Sequence, residues 1–195
     1  MPKRADDYMA DRRDQILDAA VRCCWEKGWN QTTLRDVATM AGLSKGGVYV
    51  HFPTKTELLK GLLQRNIEQI EIMGAAPDVE RFVQWAHDNL PFMLGSDGRE
   101  RAISQSELQL EGLRTPELRP LVENVVSNAV RVLEGMVRRF CPSIDETMVK
   151  DRALLICFFF EGLRNYAAMA DGVSLKQLQR VATRQLRALL DGEIE

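Results

Sequence analysis

The sequence predicts an all-α protein: a three-helix N-terminal helix-turn-helix domain joined by a long helix to a C-terminal helical bundle. Three observations lead there. Apolar residues recur at three- and four-residue spacing along most of the chain, the period of a helix with one buried face. No stretch alternates apolar and polar residues between turn signals, as a half-buried strand would. The apolar stripes also open on Ser- and Thr-led capping sequences, so local signals agree with the global pattern.

The first helix is expected over Asp11–Lys27, with Ile16, Leu17, Ala20, Val21 and Cys24 on one face and Gly28 as its stop. Residues 1–10 are polar and expected to fray. Thr33-Leu34-Arg35-Asp36 resembles a capping box with Asp in the fourth place and opens a short helix. Ala41-Gly42-Leu43 interrupts it, and Ser44 caps a second short helix to about Val50. Pro53 ends that one. Thr54-Lys55-Thr56-Glu57 is a full capping box and opens a long helix that fades near Gly74–Pro77. This divides the chain into 1–53, a connecting helix 54–76, and 77–195.

Beyond it, helices are expected over Pro77–Leu94, Arg99–Leu113 and, from Thr115 as cap with Pro116 in the first turn, to Phe140. Ser143-Ile144-Asp145-Glu146 begins another, to Ala170. Ser174-Leu175-Lys176-Gln177 begins the last, to Leu190.

Composition narrows the function. The chain has 195 residues, 45% hydrophobic and 28% charged, near the averages for a soluble globular protein and unlike a disordered or collagen-like chain. The longest apolar run, Ala153 to Phe160, falls far short of the ~18 residues of a membrane span. No apolar stretch follows the N-terminal basic residues, so no secretory signal is expected and the expected compartment is the cytoplasm. Cys23, Cys24, Cys141 and Cys157 lack metal-ligand spacing and read as small buried hydrophobes. His87 has no histidine or cysteine partner at helical spacing. No metal or cofactor is expected. With no Gly-rich phosphate loop and no nucleophile elbow, an enzyme reading has almost no support.

The net charge of −2 hides an asymmetry. Residues 1–65 carry 11 Lys+Arg against 8 Asp+Glu, and the rest 15 against 20. The surplus lies in 44–65, with Lys45, Lys55, Lys60 and Arg65 against Glu57, which draws attention to a polyanion partner there.

Two short helices around Gly42 form the pattern of a helix-turn-helix, whose second helix enters the major groove of DNA. Leu34, Val37, Ala38, Leu43 and Val48 hold the pair together; Ser44, Lys45, Gly46, Tyr49 and Val50 are left outside. Lys45 suits a guanine edge or a phosphate. Tyr49 offers a hydroxyl to a phosphate and a ring to a thymine methyl. Gly46 and Gly47 weaken a helix, which makes sense where it must approach another surface closely.

From Arg13 to Leu63 the chain resembles the TetR family of bacterial transcriptional regulators. The matching residues are Ile16-Leu17-Asp18-Ala19-Ala20, Trp25-Glu26-Lys27-Gly28-Trp29, Thr32 to Ala38, Ala41 to Tyr49, His51-Phe52 and Lys55 to Leu59. The resemblance implies a DNA-binding head, a C-terminal dimerisation and ligand domain, and a repressor released from a palindromic operator by a small molecule. The candidate DNA-facing set is Thr33, Arg35, Ser44, Lys45, Gly46, Tyr49, His51 and Lys55. Val50 departs from the pattern, where an aromatic or small polar residue is more usual.

The implied homodimer falls on the last two helices, with Leu155, Phe158, Gly162, Leu178, Val181, Leu186 and Leu189 as candidates. Candidate ligand-facing residues are Phe82, Trp85, Phe92, Met93, Glu107, Glu111, Phe159, Asn165, Tyr166 and Met169, an apolar and aromatic set with a few polar groups. The expected partners are double-stranded operator DNA, a second copy of the chain and a small-molecule effector of unknown identity, with no membrane. A regulator controlled by a protein partner instead, or an activator, is the alternative.

Overall fold

The computed structural model describes residues 5–94, 98–169 and 174–191, without the side chains of 5–7, 92–94 and 167–168. Among them are nine helices and no strand: α1 Ala5–Gln31, α2 Leu34–Ala41, α3 Lys45–His51, α4 Lys55–Gly74, α5 Val79–Leu94, α6 Gly98–Arg114, α7 Arg119–Phe140, α8 Glu146–Met169 and α9 Leu175–Asp191. No helix among the described residues is long and apolar enough to cross a membrane.

Packing divides the chain into two units. One comprises residues 1–64 and 104–122, the other 65–103 and 123–195. The end of α6 and the start of α7 thus pack with the helix-turn-helix head, across the sequence division at 53 and 76. The reason is visible at Gly112, where an added Cβ would lie 2.6 Å from Val122 and 3.3 Å from Leu63.

In the first unit, Ile16, Leu17, Ala20, Cys24, Val37, Ala38, Val48, Phe52, Leu58, Leu62 and Leu63 are buried. Gly61 lets α4 lie on Phe52, whose ring would meet a Cβ there at 2.7 Å. α1 starts at Ala5, before the expected Asp11 and inside the stretch expected to fray. Its span also runs past Gly28, which breaks it at φ 78, ψ 160 before a last turn over Trp29–Gln31.

The second unit is built around Phe82, Val83, Ala86, Leu133, Met136, Val137, Ile156, Leu186 and Leu189. Beside them Leu90, Leu163 and Ala182 form a smaller cluster. Arg152 is buried and donates to Leu189 O at 3.1 Å, and Cys141 Sγ donates to Leu190 O at 2.8 Å. Together they tie the last turn of α9 to α8 and to the residue that follows α7.

Two helix starts lie elsewhere than the capping motifs suggest. Thr115 ends α6 rather than opening α7: its hydroxyl donates to Glu111 O at 2.9 Å, and α7 begins at Arg119. At α8 the cap is Asp145, whose Oδ1 accepts from Met148 N at 2.9 Å. Ile144 before it and Val149 after it share the same core, the spacing of a hydrophobic staple. The Ser143-led box starts two residues too early to make that contact.

Candidate nucleic-acid interface

The turn between α2 and α3 has the geometry its sequence requires. Thr33 Oγ1 accepts from Asp36 N at 3.2 Å while Asp36 Oδ2 accepts from Thr33 N at 2.8 Å, a closed capping box. Gly42 adopts φ 65, ψ 31, the left-handed conformation that glycine takes at no steric cost. Its N–H reaches Thr39 O, and Leu43 N reaches Ala38 O at 2.9 Å. Ser44 Oγ accepts from Gly47 N at 3.1 Å and starts α3. Gln15 Nε2 donates to Ala41 O at 2.7 Å, so α1 fixes the end of α2.

Val48 is the fully buried side chain of α3. The opposite face carries Lys45, Gly46, Tyr49 and Val50, all exposed. Lys45 Nζ lies 5.4 Å from the Tyr49 ring centroid, so cation and phenol stand side by side. Val50 is 72% exposed, an apolar side chain turned to solvent. A Cβ on Gly46 would meet only Ser44 Oγ, at 4.0 Å. No neighbour among the described residues therefore requires glycine at 46.

The other DNA-facing candidates divide. Arg35 is exposed on α2. His51 is half-buried, 6.5 Å from the Phe52 ring. Thr33 and Ser44 spend their hydroxyls on capping, and Thr33 also donates to Asp36 Oδ2 at 2.5 Å. Lys27 Nζ reaches the same oxygen at 2.6 Å. Lys27 first, then Thr33, holds the Asp36 carboxyl well below the usual carboxylate range.

Lys55 is not an open cation. Its Nζ donates to Trp29 O at 2.5 Å and Asn30 O at 3.2 Å and lies 4.5 Å from the Trp29 ring centroid. Burial pushes its pKa down. The same tryptophan donates its backbone N–H to Glu107 Oε2 at 2.9 Å. Glu107, a ligand candidate in the sequence, thus closes the break at Gly28. Glu111 lies in the same unit, where its charge acts on Lys55. Nothing local pointed to this cluster, because its residues lie 26 and 78 positions apart.

The remaining ligand candidates belong to the second unit. Phe82 is wholly buried, stacked 6.1 Å from Trp85 and edge-on to Phe160 at 6.4 Å; Phe159 meets Phe160 at 6.0 Å. These rings fill one another's space. Asn165, Tyr166 and Met169 are exposed on α8, and the side chains of Phe92 and Met93 lie outside the described residues. Of the candidate dimer residues, Leu155, Phe158, Gly162 and Val181 are exposed, with Phe158 at 65%. Leu178 is half-buried, while Leu186 and Leu189 are interior. Leu154 joins the exposed apolar face of α8.

No cluster of metal-binding type occurs among the described residues.

Comparison with known proteins matches residues 16–62 to the family model of bacterial regulatory proteins, tetR family. The HTH-type transcriptional repressor Rv1474c of Mycobacterium tuberculosis is 39% identical over 75 residues, 38% of this chain and 40% of that protein. The HTH-type transcriptional regulator TtgR of Pseudomonas putida is 35% identical over 80 residues, 41% of this chain and 38% of its own. The match therefore spans about two fifths of these relatives. The solved structure of the transcriptional regulator FadR from Bacillus subtilis, in complex with stearoyl-CoA, superposes with a TM-score of 0.65 at 22% identity. It covers 93% of this chain and 99% of that one, a likeness of fold.

Proposed function

We propose, from the premise that the chain belongs to the tetR family of bacterial regulatory proteins, that it is a homodimeric, sequence-specific transcriptional repressor. It binds a palindromic operator and leaves it when a small molecule with an apolar body binds the C-terminal unit. The observation that carries the reading is the outer face of α3, where Lys45, Gly46, Tyr49 and Val50 stand clear of the protein on a helix locked by Gly42 and Ser44.

That face supplies each part of groove recognition. Lys45 contributes charge toward a base edge or phosphate, and Tyr49 a hydroxyl and an apolar ring. Gly46 allows the backbone to come close. The capping bonds at Thr33 and Ser44 hold the helix in register. Small-molecule release draws support from the complex of Bacillus subtilis FadR with stearoyl-CoA. Two copies, one head per half-site, fit a two-fold symmetric site.

Selection from a random duplex DNA pool with the purified protein tests this. Enrichment of a palindrome with half-sites about one helical turn apart is expected. Lys45→Ala with Tyr49→Ala should abolish that enrichment in a protein that stays folded. Unchanged enrichment in the double variant would remove α3 as the reading helix.

A further inference from the structure

We propose that the second unit holds a binding site for a small organic carboxylate between the end of α4 and the middle of α7, with Asn128 and Arg131 as its donors. The site is an open groove of about 450 Å³ lined by Glu71, Gly74, Asn128, Arg131, Val132 and Gly135.

One of its lining residues, Asn128, carries a buried polar group with no partner among the described residues. Asn128 is 1% exposed, and its Nδ2 has no hydrogen-bond partner. Its orientation is fixed by chemistry: Arg131 donates to Asn128 Oδ1, and a guanidinium has no acceptor, so the oxygen must face it. The amide N–H₂ is therefore the unsatisfied end. Only an acceptor can complete it, and burying such a group unpaired is costly.

The walls point the same way. Gly74 brings α4 against α7 so closely that a Cβ there would collide with Val132 Cγ1. Gly135 is different: a Cβ on it would have nothing within 4 Å. A glycine inside a helix weakens it, and here no packing requires one, so its absent side chain leaves the pocket open. Arg139, also on the wall, is occupied by Gly74 O at 2.6 Å and Ala76 O at 3.2 Å. This leaves one amide and one guanidinium side by side, the donor pair for the two oxygens of one carboxylate. Val132 and Ala75 would meet an apolar body, and the carboxylate of Glu71 repels a dianion such as phosphate more strongly than a monocarboxylate.

This deepens the effector reading, and its regulatory consequence rests on that reading, but occupancy can be measured without DNA. The test follows the thermal midpoint of the whole protein with acetate, butyrate, octanoate and benzoate, with 1-octanol as an uncharged twin and inorganic phosphate as the dianion. At least one carboxylate should raise the midpoint in a saturable way, and octanol and phosphate should not. In Asn128→Leu and Gly135→Leu the half-saturating concentration should rise at least tenfold. Should the first fail to fold, the second still decides, since position 135 has open space. The proposal is overturned if no carboxylate stabilises more than octanol does, if phosphate alone acts, or if the variants respond like the wild type. A carboxylate that binds but leaves operator affinity unchanged keeps the site and removes the effector reading.

Discussion

Gln179 Nε2 on α9 donates at 3.3 Å to the carbonyl of His87 on α5, and that carbonyl stands four residues before Pro91. Proline has no N–H, so within α5 the His87 oxygen loses its helical donor. α9 supplies a replacement from outside the helix. This explains how α5 carries a proline inside its span and still packs along α9. Gln179→Met should cost about 0.5–1.5 kcal/mol in denaturant melts. In a Pro91→Ala background the cost should nearly vanish, because residue 91 then donates to His87 itself. Equal costs in both backgrounds would show that the bond does not answer the proline.

Gly28 and Glu107 form a second cross-chain dependence. The φ 78, ψ 160 of Gly28 is a conformation essentially restricted to glycine. A Cβ there would also lie 3.3 Å from Glu107 Oε2, the atom that accepts from Trp29 N. Gly28→Ala should lose roughly 1–3 kcal/mol from the backbone alone. Glu107→Ala leaves the buried Trp29 N–H without an acceptor, and should lower the melting midpoint more than Glu107→Gln, which keeps an oxygen at that place. Identical midpoints for the two Glu107 variants would show that the carboxylate is not the cap.

These pairs mark what the sequence could and could not convey. Thr33, Ser44 and Thr54 were legible as caps because a capping bond spans three residues and carries its own geometry. Gly42 was legible for the same reason. At α8 two cap residues competed, and the choice fell to Asp145 because Ile144 and Val149 meet in the core, a contact the capping motif alone does not specify. Lys55 read as a DNA-facing cation; only the fold shows the Trp29 and Asn30 carbonyls that accept from it. α9 carries leucines on more than one face, so periodicity did not reveal that Leu186 and Leu189 turn inward while Val181 turns out.

Gly46 separates helix stability from recognition. Gly46→Ala should stabilise the protein slightly, by about 0.5–1 kcal/mol, because alanine is the better helix former and finds open space. Operator affinity should fall at the same time, since the added methyl stands on the face proposed to approach DNA. Opposite signs in a melt and a binding titration are the expected result. A variant that binds as tightly as the wild type would show that close approach at 46 is not used.

Asp36 makes the start of α2 sensitive to acid. Its carboxyl is held far below the ordinary 3.8 by Lys27, then by Thr33. A depressed folded value means the charged form is favoured by folding. That stability is present above the unfolded value and is lost as pH falls toward the folded one. Asp36→Asn should therefore melt below the wild type at neutral pH, with the gap narrowing progressively below pH 3.8. Raised salt should narrow the gap too, because the Lys27 pair is near solvent. A gap independent of pH would assign the effect to cap geometry rather than charge.

The exposed face of α8 and α9 tests association apart from folding. Phe158 and Val181 are open to solvent while Leu186 is fully buried, so substitutions on the two sides should fail differently. Phe158→Glu places a charge on the surface and leaves the core intact. It should shift a dimer to monomer in light scattering with little change in helical content. Leu186→Ala empties part of the core and should cost about 2–5 kcal/mol, lowering the melting midpoint whatever the association state. Operator binding should weaken in Phe158→Glu even with α3 unaltered, because two heads on one palindrome gain from being linked. A Phe158→Glu protein that remains dimeric would move the interface off this face.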